Sequence, residues 1–391
     1  HLKPFLRTSN VFWGKLDLTS VDQMDFTPQE CDSLRLLPGD VLVCEGGDIG
    51  RTAVWSAELS ECYYQNHLHR LRKKNAKVSP QYFAYWMQAG FQQFNLYSGH
   101  GNKTTIPNLS QSRLKEFTFP LPPLHEQQKI AAILFKIQQA IEMQESIIEH
   151  LQELKKATMQ HVFTYGLRGE KTKETEIGKI PESWEVSLLG NLIEVKGGKR
   201  MPRGKQLIKE KTPYPYIRVT DFKDNSVDIS QLMYVPLDIQ PLIKQYIVNH
   251  QDIYISIAGT TGIVGIIPKE LDGAQLTENA ARLILLSSTP KQKYLMRFLD
   301  SEYGQRQMEA MTMKTSQPKL ALARIKQIKI PLPSKEEQVE IANILEVIDK
   351  KIKLHKAKKE SFQDLFKTML NKLMTGEIRV RDLEVDVTEI Q

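Results

Sequence analysis

The sequence predicts an α+β protein made of two globular domains, each followed by one long helix, the whole arranged as an internal repeat. Three observations predict this. One block of sequence recurs at a nearly constant offset. The first part of each copy carries short β-branched and aromatic runs set between Gly, Pro and Asp. The second part is a stretch of about forty residues with heptad-spaced apolar positions and no internal Gly or Pro.

The repeat comes first because it decides the architecture. Phe119-Pro120-Leu121-Pro122 recurs as Ile330-Pro331-Leu332-Pro333, an offset of 331 − 120 = 211. The same offset carries Glu126-Gln127 onto Glu337-Gln338, Ile130-Ala131 onto Ile341-Ala342, Lys103-Thr104 onto Lys314-Thr315, and Phe5-Leu6-Arg7 onto Tyr216-Ile217-Arg218. Gly39-Asp40-Val41 with Gly47 and Gly50 matches Gln251-Asp252-Ile253 with Gly259 and Gly262 at offset 212, so one insertion lies between. Trp184, Glu185 and the stretch 196–211 have no counterpart in the first copy. Together with a start at His1, this leads to the expectation that roughly thirty N-terminal residues are absent. The expected divisions are 1–119, an N-terminally incomplete first domain; 120–165, a first helix; 166–183, a linker; 184–329, a second domain; 330–375, a second helix; and 376–391, a tail.

Within each copy, Val41–Val43 and Ile253–Ile257 read as strands, while Gln81–Gln93 and Lys291–Met311 read as helices packed on the sheets. In the first long helix Ile130, Leu134, Ile137, Ile141, Gln144, Ile148 and Leu151 alternate spacings of four and three, which is the seam of a coiled coil. The second answers with Ile341, Leu345, Ile348 and Ile352, then Phe362, Phe366, Met369 and Leu373. Each helix would be about 60 Å long at 1.5 Å per residue. Ser334 followed by Glu337 reads as a capping box, and the first-copy position is Pro123, so that end must close differently.

Composition sets the outer limits. The 391 residues exceed one comfortable core, and 41% hydrophobic with 25% charged residues is ordinary for a folded protein. A net charge of +7 suits a polyanionic partner without requiring one. Cys31, Cys44 and Cys62 lie apart with no C-x-x-C pair, which points to a reducing cytoplasm and away from a disulfide framework or zinc site. No run of about 18 apolar residues suggests a membrane span. Gly198 to Gly204-Lys205-Gln206 fails as a P-loop, no H-E-x-x-H occurs, and no glycine-rich S-adenosylmethionine loop or Asn/Asp-Pro-Pro-aromatic motif is found, so no catalytic centre and no cofactor are expected in this chain.

The order of a globular domain, Pro-Leu-Pro-x₃-Glu-Gln, a long helix, then Ile177-Gly178-Lys179-Ile180-Pro181-Glu182-Ser183-Trp184, a second domain and a second helix resembles the specificity subunits of type I restriction-modification systems over essentially the whole chain. The resemblance implies that the two domains are target-recognition domains, each reading one half of a split DNA sequence. It also implies that the helices form an antiparallel coiled coil relating the halves by a pseudo-two-fold. It further implies partners: double-stranded DNA, two methyltransferase subunits holding S-adenosylmethionine, and two restriction motor subunits. Helix faces around Lys155, Lys156, Lys358 and Lys359 would dock the methyltransferase. The competing readings are an enzyme fused to its own recognition domains and an adaptor whose paired domains bind proteins.

Several residues then become candidates for contact with DNA. Arg7 and Arg218 share one position in the repeat, where a guanidinium could fork onto guanine or a phosphate, or equally close a structural ion pair. Asn10 and Thr220 lie just beyond them. The turns holding Gly47 and Arg51, and Gly259, Thr260 and Thr261, could bring backbone close to DNA or be plain hairpin turns. Gly99, His100, Asn102, Lys103 and Thr104 answer Lys314, Thr315, Ser316 and Lys319 as polar loops. Lys199, Arg200, Arg203 and Lys205 form a basic arm suited to phosphates, with a solvated loop as the alternative.

Overall fold

The computed structural model describes residues 2–96, 108–313 and 318–390. The chain divides into two compact units, His1–Ile147 with His355–Gln391, and Ile148–Leu354. Each unit therefore takes one part of each long helix.

In the first unit the strand Lys3–Leu6 pairs antiparallel with Asp22–Met24 and parallel with Tyr63–Tyr64. Val41–Cys44, buried at all four residues, lies between Thr52–Val54 and Leu68–Leu71. Ser79 caps the helix Pro80–Gln92 by accepting from the N–H of Tyr82, and every residue from Tyr82 to Gly90 is buried. An apolar helix seated on the sheet in this way forms the main core, with Val41, Val43, Trp86 and Leu109 packed against Ile130 and Leu134 of the first long helix and Leu370 and Leu373 of the second.

The second unit repeats this plan strand for strand. Pro215–Ile217 pairs antiparallel with Met233–Tyr234 and parallel with Gln275–Leu276, so that Tyr216↔Gln275 and Ile217↔Leu276 answer Phe5↔Tyr63 and Leu6↔Tyr64. Ile253–Ser256 lies between Val264–Ile266 and Ala280–Leu285. A bridge at Arg35↔Tyr63 answers Ile247↔Gln275 at offset 212, while the strands up to Met24 keep 211. The single insertion thus falls between those points, where the helices Pro28–Leu34 and Gln240–Ile243 differ in length. Ile193–Gly197 adds a fourth strand beside Ala280–Leu285, and Glu185–Leu188 pairs with Lys329–Leu332. Neither has a counterpart among the described residues of the first unit. The expected single helix over Lys291–Met311 is two, Gln292–Asp300 and Glu302–Met311, because Ser301 caps the second by accepting from Gly304 N–H.

The long helices span Leu124–Tyr165 and Lys335–Met374. Ile130, Leu134, Ile341, Leu345, Ile348 and Ile352 are buried; Ile137, Ile141, Ile148, Leu151, Phe362, Phe366 and Met369 are half-buried. Met159, Val162 and Phe163 meet Ile341 and Leu345 in the core of the second unit, which extends the apolar stripe of the first helix beyond Leu151. Gln144 and His355, equivalent positions of the two copies, share a 2.7 Å hydrogen bond.

The capping box at Ser334 is only half formed. Ser334 Oγ accepts from Glu337 N–H, but the Glu337 carboxylate turns elsewhere, to Leu167 N–H at 3.0 Å and Trp184 Nε1–H at 3.2 Å. Its repeat mate Glu126 accepts two 2.7 Å bonds from Arg379 in the tail. Those bonds hold the Glu126 carboxyl below its ordinary range. A depressed carboxyl contributes stability that is present above its unfolded pKa and lost as pH falls through the folded value. Protection of residues 378–390 from proteolysis should therefore hold at neutral pH and fade on acidification; protection unchanged down to pH 3 would contradict it.

Candidate nucleic-acid interface

The two hairpin turns that the repeat singled out are built alike. Gly50 N–H donates to Cys44 O at 3.0 Å, and Gly262 N–H to Ser256 O at 2.9 Å. Gly47, Gly50, Gly259 and Gly262 all have positive φ, between 71° and 87°. The inner glycine of each pair is also crowded: a Cβ on Gly50 would lie 2.5 Å from the Phe91 ring, whereas one on Gly47 meets nothing within 4 Å. Gly50→Ala should thus cost about 2–4 kcal/mol, strain plus overpacking. Gly47→Ala should cost only about 1–2 kcal/mol for the left-handed backbone. Urea unfolding of the two variants checks the difference, and equal losses would refute it.

Each turn is joined to the return of the next polar loop. Leu109 N–H donates to Glu45 O at 2.8 Å, and at the repeated positions Leu320 N–H donates to Ile257 O at 2.9 Å. In the first unit His69 adds a ring-nitrogen contact of 2.6 Å to Leu109 O. In the second, Lys319 is exposed and bridges both Met313 and Ala258. Thr260 is exposed, and Thr261 Oγ1 lies 3.5 Å from Thr312 Oγ1. Turn and loop base therefore form one surface at the same end of each unit. Gly99, His100, Asn102, Lys103, Thr104, Lys314, Thr315 and Ser316 lie outside the described residues.

The other candidates are more constrained. Arg7 pairs with Asp22 at 2.6 Å, and Arg218 forks onto Asp221 and also donates to Gln231 O. The ion pair left open by the sequence is present at both arginines, though the Arg7 side chain stays about half exposed. Asn10 and Asp221, again equivalent, accept the N–H of Arg7 and Arg218 and close a 3₁₀ turn. Asn10 also donates to Asp17 O and Ser20 O, so its buried amide is engaged in shaping the loop, a correction to its reading as a DNA contact. Thr220 sits exposed on the second of these turns. Arg51 pairs with Asp48 and lies 4.8 Å over the Phe12 ring.

The basic arm packs against its own unit. Met201 and Leu207 pack on the cluster of Tyr216, Val235, Ile239 and Ile243. Lys199 lies over Tyr246, Arg200 pairs with Glu278 at 2.5 Å, and Lys205 with Asp238 at 3.6 Å, while Arg203 is exposed. Sequence reasoning missed His69, Tyr246 and Glu278, which hold these parts in place; none carries a motif. Among the described residues no cluster of His, Cys, Asp or Glu could hold a metal, and no helix is long and apolar enough to cross a membrane.

Comparison with known proteins gives consistent results. The sequence profile described as "Type I restriction modification DNA specificity domain" matches residues 13–153 and 181–363. The "Type I restriction enzyme MjaVIII specificity subunit" of Methanocaldococcus jannaschii is 28% identical over 332 residues, 80% of this chain and 74% of the relative. The "Putative type I restriction enzyme MjaX specificity subunit" of the same organism is 29% identical over 398 residues, 97% of this chain and 88% of the relative. Among solved structures, the "Type-I restriction-modification system S subunit from M. genitalium" aligns over 96% of this chain and 93% of that one with a TM-score of 0.58 at 18% identity. A chain from the "complex assembly" structure of "the type I R-M system" aligns over 97% and 92% with a TM-score of 0.59 at 17% identity. These likenesses concern the fold.

Proposed function

Because the chain belongs to the family of type I restriction-modification DNA specificity domains, we propose that it binds double-stranded DNA, reads a bipartite, gapped target, and directs methyltransferase and restriction subunits to it. The family is one of specificity rather than catalysis. The observation that carries the proposal is the duplicated fold with unlike surfaces. The same turn and loop base recur in both units, yet a half-buried arginine, Arg51, stands in one where Ile263 stands in the other, and His69 supports one loop where Ala281 lies in the other. Two unlike readers on one chain imply two unlike half-sites, by the logic that half-site spacing mirrors protein geometry.

Arg7, Arg51, Arg203, Arg218, Thr220, Thr260, Lys199 and Lys319 supply donors for phosphates and base edges on this reading. The ion pairs of Arg7 and Arg218 pre-orient a guanidinium whose carboxylate partner can be exchanged for a phosphate. The two long helices act as an antiparallel coiled coil between the readers. That is supported by the first helix's early residues packing with the second helix's late ones in the first unit, and its late residues with early ones in the second. S-adenosylmethionine belongs to the methyltransferase partner, and the cytoplasm is the place of work.

For that partner the helix surface offers Met143 and Leu354, 62% and 53% exposed at one repeat position, and Leu154 and Leu365 at another. Apolar side chains left open in equivalent pairs suit two copies of one partner. Lys156 and Lys358 are exposed on the same two helices, but Lys155 pairs with Asp300 and Asp349, and Lys359 with Glu145, so these two serve the chain's own packing.

Long-read mapping of methylated bases, in a host expressing the partner methyltransferase with and without this chain, tests the proposal. One split motif with a fixed gap, appearing only with the chain, is the expected result. An unchanged methylome would favour an adaptor, which would also lack the steep salt dependence of DNA binding.

A further inference from the structure

The Glu-Gln pair at the start of each long helix builds the same junction twice. Gln127 accepts from Ser79 N–H at 2.9 Å and donates to Pro122 O at 2.7 Å; Gln338 accepts from Lys291 N–H at 2.7 Å and donates to Pro333 O at 2.9 Å. Ser79 and Lys291 stand at the N-cap positions of the domain helices Pro80–Gln92 and Gln292–Asp300, so each glutamine ties its domain to the long helix. Each glutamate ties that same helix start to the chain just past the end of the other long helix: Glu126 to Arg379, and Glu337 to Leu167 N–H and Trp184 Nε1–H. Tyr82 and Tyr294 reinforce the pattern, donating to Pro120 O at 3.1 Å and Pro331 O at 2.7 Å. All four Glu and Gln side chains are at most 3% exposed.

Three chain segments meet at each junction, and the glutamate sees only donors there, which is why an acceptor-only carboxylate suits the position. Gly166 follows the end of the first long helix with φ +65°, and a Cβ there would stand 3.0 Å from Glu337 Oε1 and from Pro181, so the linker can approach only as glycine.

We propose that Glu126 and Glu337 are positioning residues for the gap in the DNA target: they fix the angle at which the start of one long helix meets the chain leaving the other, beside each domain. This rests on the bipartite reading above. A helix about 60 Å long swings its far end by about 1 Å per degree of tilt. Base pairs are stacked about 3.4 Å apart, so a few degrees at a junction equal one base pair of gap. Neither glutamate lies on the turns or loops that would touch DNA.

The test uses the full chain assembled with its methyltransferase. Competition binding is measured on duplexes carrying both half-sites at the mapped gap, one pair shorter and one pair longer, and on duplexes with one half-site. The variants are Glu337→Gln, Glu126→Gln and the milder Arg379→Gln, an exposed change that leaves the core intact. The expected result is a roughly tenfold loss of discrimination between gaps, the scale of one charge-assisted hydrogen bond, with single half-site affinity retained. Gap discrimination retained in Arg379→Gln and in whichever glutamate variant folds would overturn the proposal. So would an equal loss at all gaps and on single half-sites, since that is what mere destabilisation gives. A wild-type assembly that binds no duplex, or ignores the gap, would instead refute the bipartite reading itself.

Discussion

Replacing Trp184 with alanine should destabilise the second unit by about 4 kcal/mol, within the range for a fully buried aromatic truncated to alanine. Trp184 is 1% exposed and packs with Phe163, Ile180 and Ile330 in the largest core. It also carries a role that size alone does not describe, since its Nε1–H is one of two donors holding the buried Glu337 carboxylate. Trp184→Phe keeps most of the ring and loses the donor, leaving a buried charge partly unmet, so its cost should fall to about 1–3 kcal/mol. For a unit of this size the alanine variant should lower Tm by roughly 10 °C, visible by calorimetry. Equal losses for Phe and Ala would show that the hydrogen bond carries the effect; no loss for either would refute the packing account.

The second large effect concerns Arg297, which is 6% exposed, pairs with Asp349 and donates to Asn225 Oδ1 at 3.2 Å. Arg297→Ala should cost about 2–3 kcal/mol, because it removes a buried guanidinium and leaves Asn225 and the part-exposed Asp349, which keeps Lys155 at 2.9 Å, each one donor short. The first copy suggests the remedy. At the equivalent positions Tyr85 donates to Gln138 Oε1 at 3.2 Å, a neutral pair doing the same geometric work. The double change Arg297→Tyr with Asp349→Gln should therefore recover most of the loss, with Lys155 keeping Asp300 at 3.8 Å. Denaturant midpoints of the single and double variants decide it. A double variant no better than Arg297→Ala would mean that the charges are required.

Much of this architecture was legible in the sequence because duplication writes the same constraint twice. The offset of 211 and its slip to 212 located equivalent strands, and Gly47, Gly50, Gly259 and Gly262 marked turns whose positive φ only glycine adopts easily. The heptad rule found the helices but stopped at Leu151, since Met159, Val162 and Phe163 face a domain core instead of a regular partner helix. Glu337 looked like half of a capping box, a local motif, because nothing local reveals that Leu167 and Trp184 return to it from far along the chain. Candidate contacts such as Asn10 and Arg218 carried the right donors, but whether a donor is free depends on tertiary neighbours that spacing does not encode.

The first unit draws part of its core from the far end of the chain: Leu370, Leu373, Val380 and Ile390 pack there with Val43, Trp86 and Ile130. On a ribosome this inverts the usual order of folding. The unit that holds residues 1–147 must wait, its apolar face uncovered, while more than two hundred residues of the other unit are made and can close on themselves. Its maturation is gated by the codons for residues 355–390, so a nonsense mutation or proteolytic nick shortly after Met374 would spare the unit nearby in sequence and damage the one translated before it.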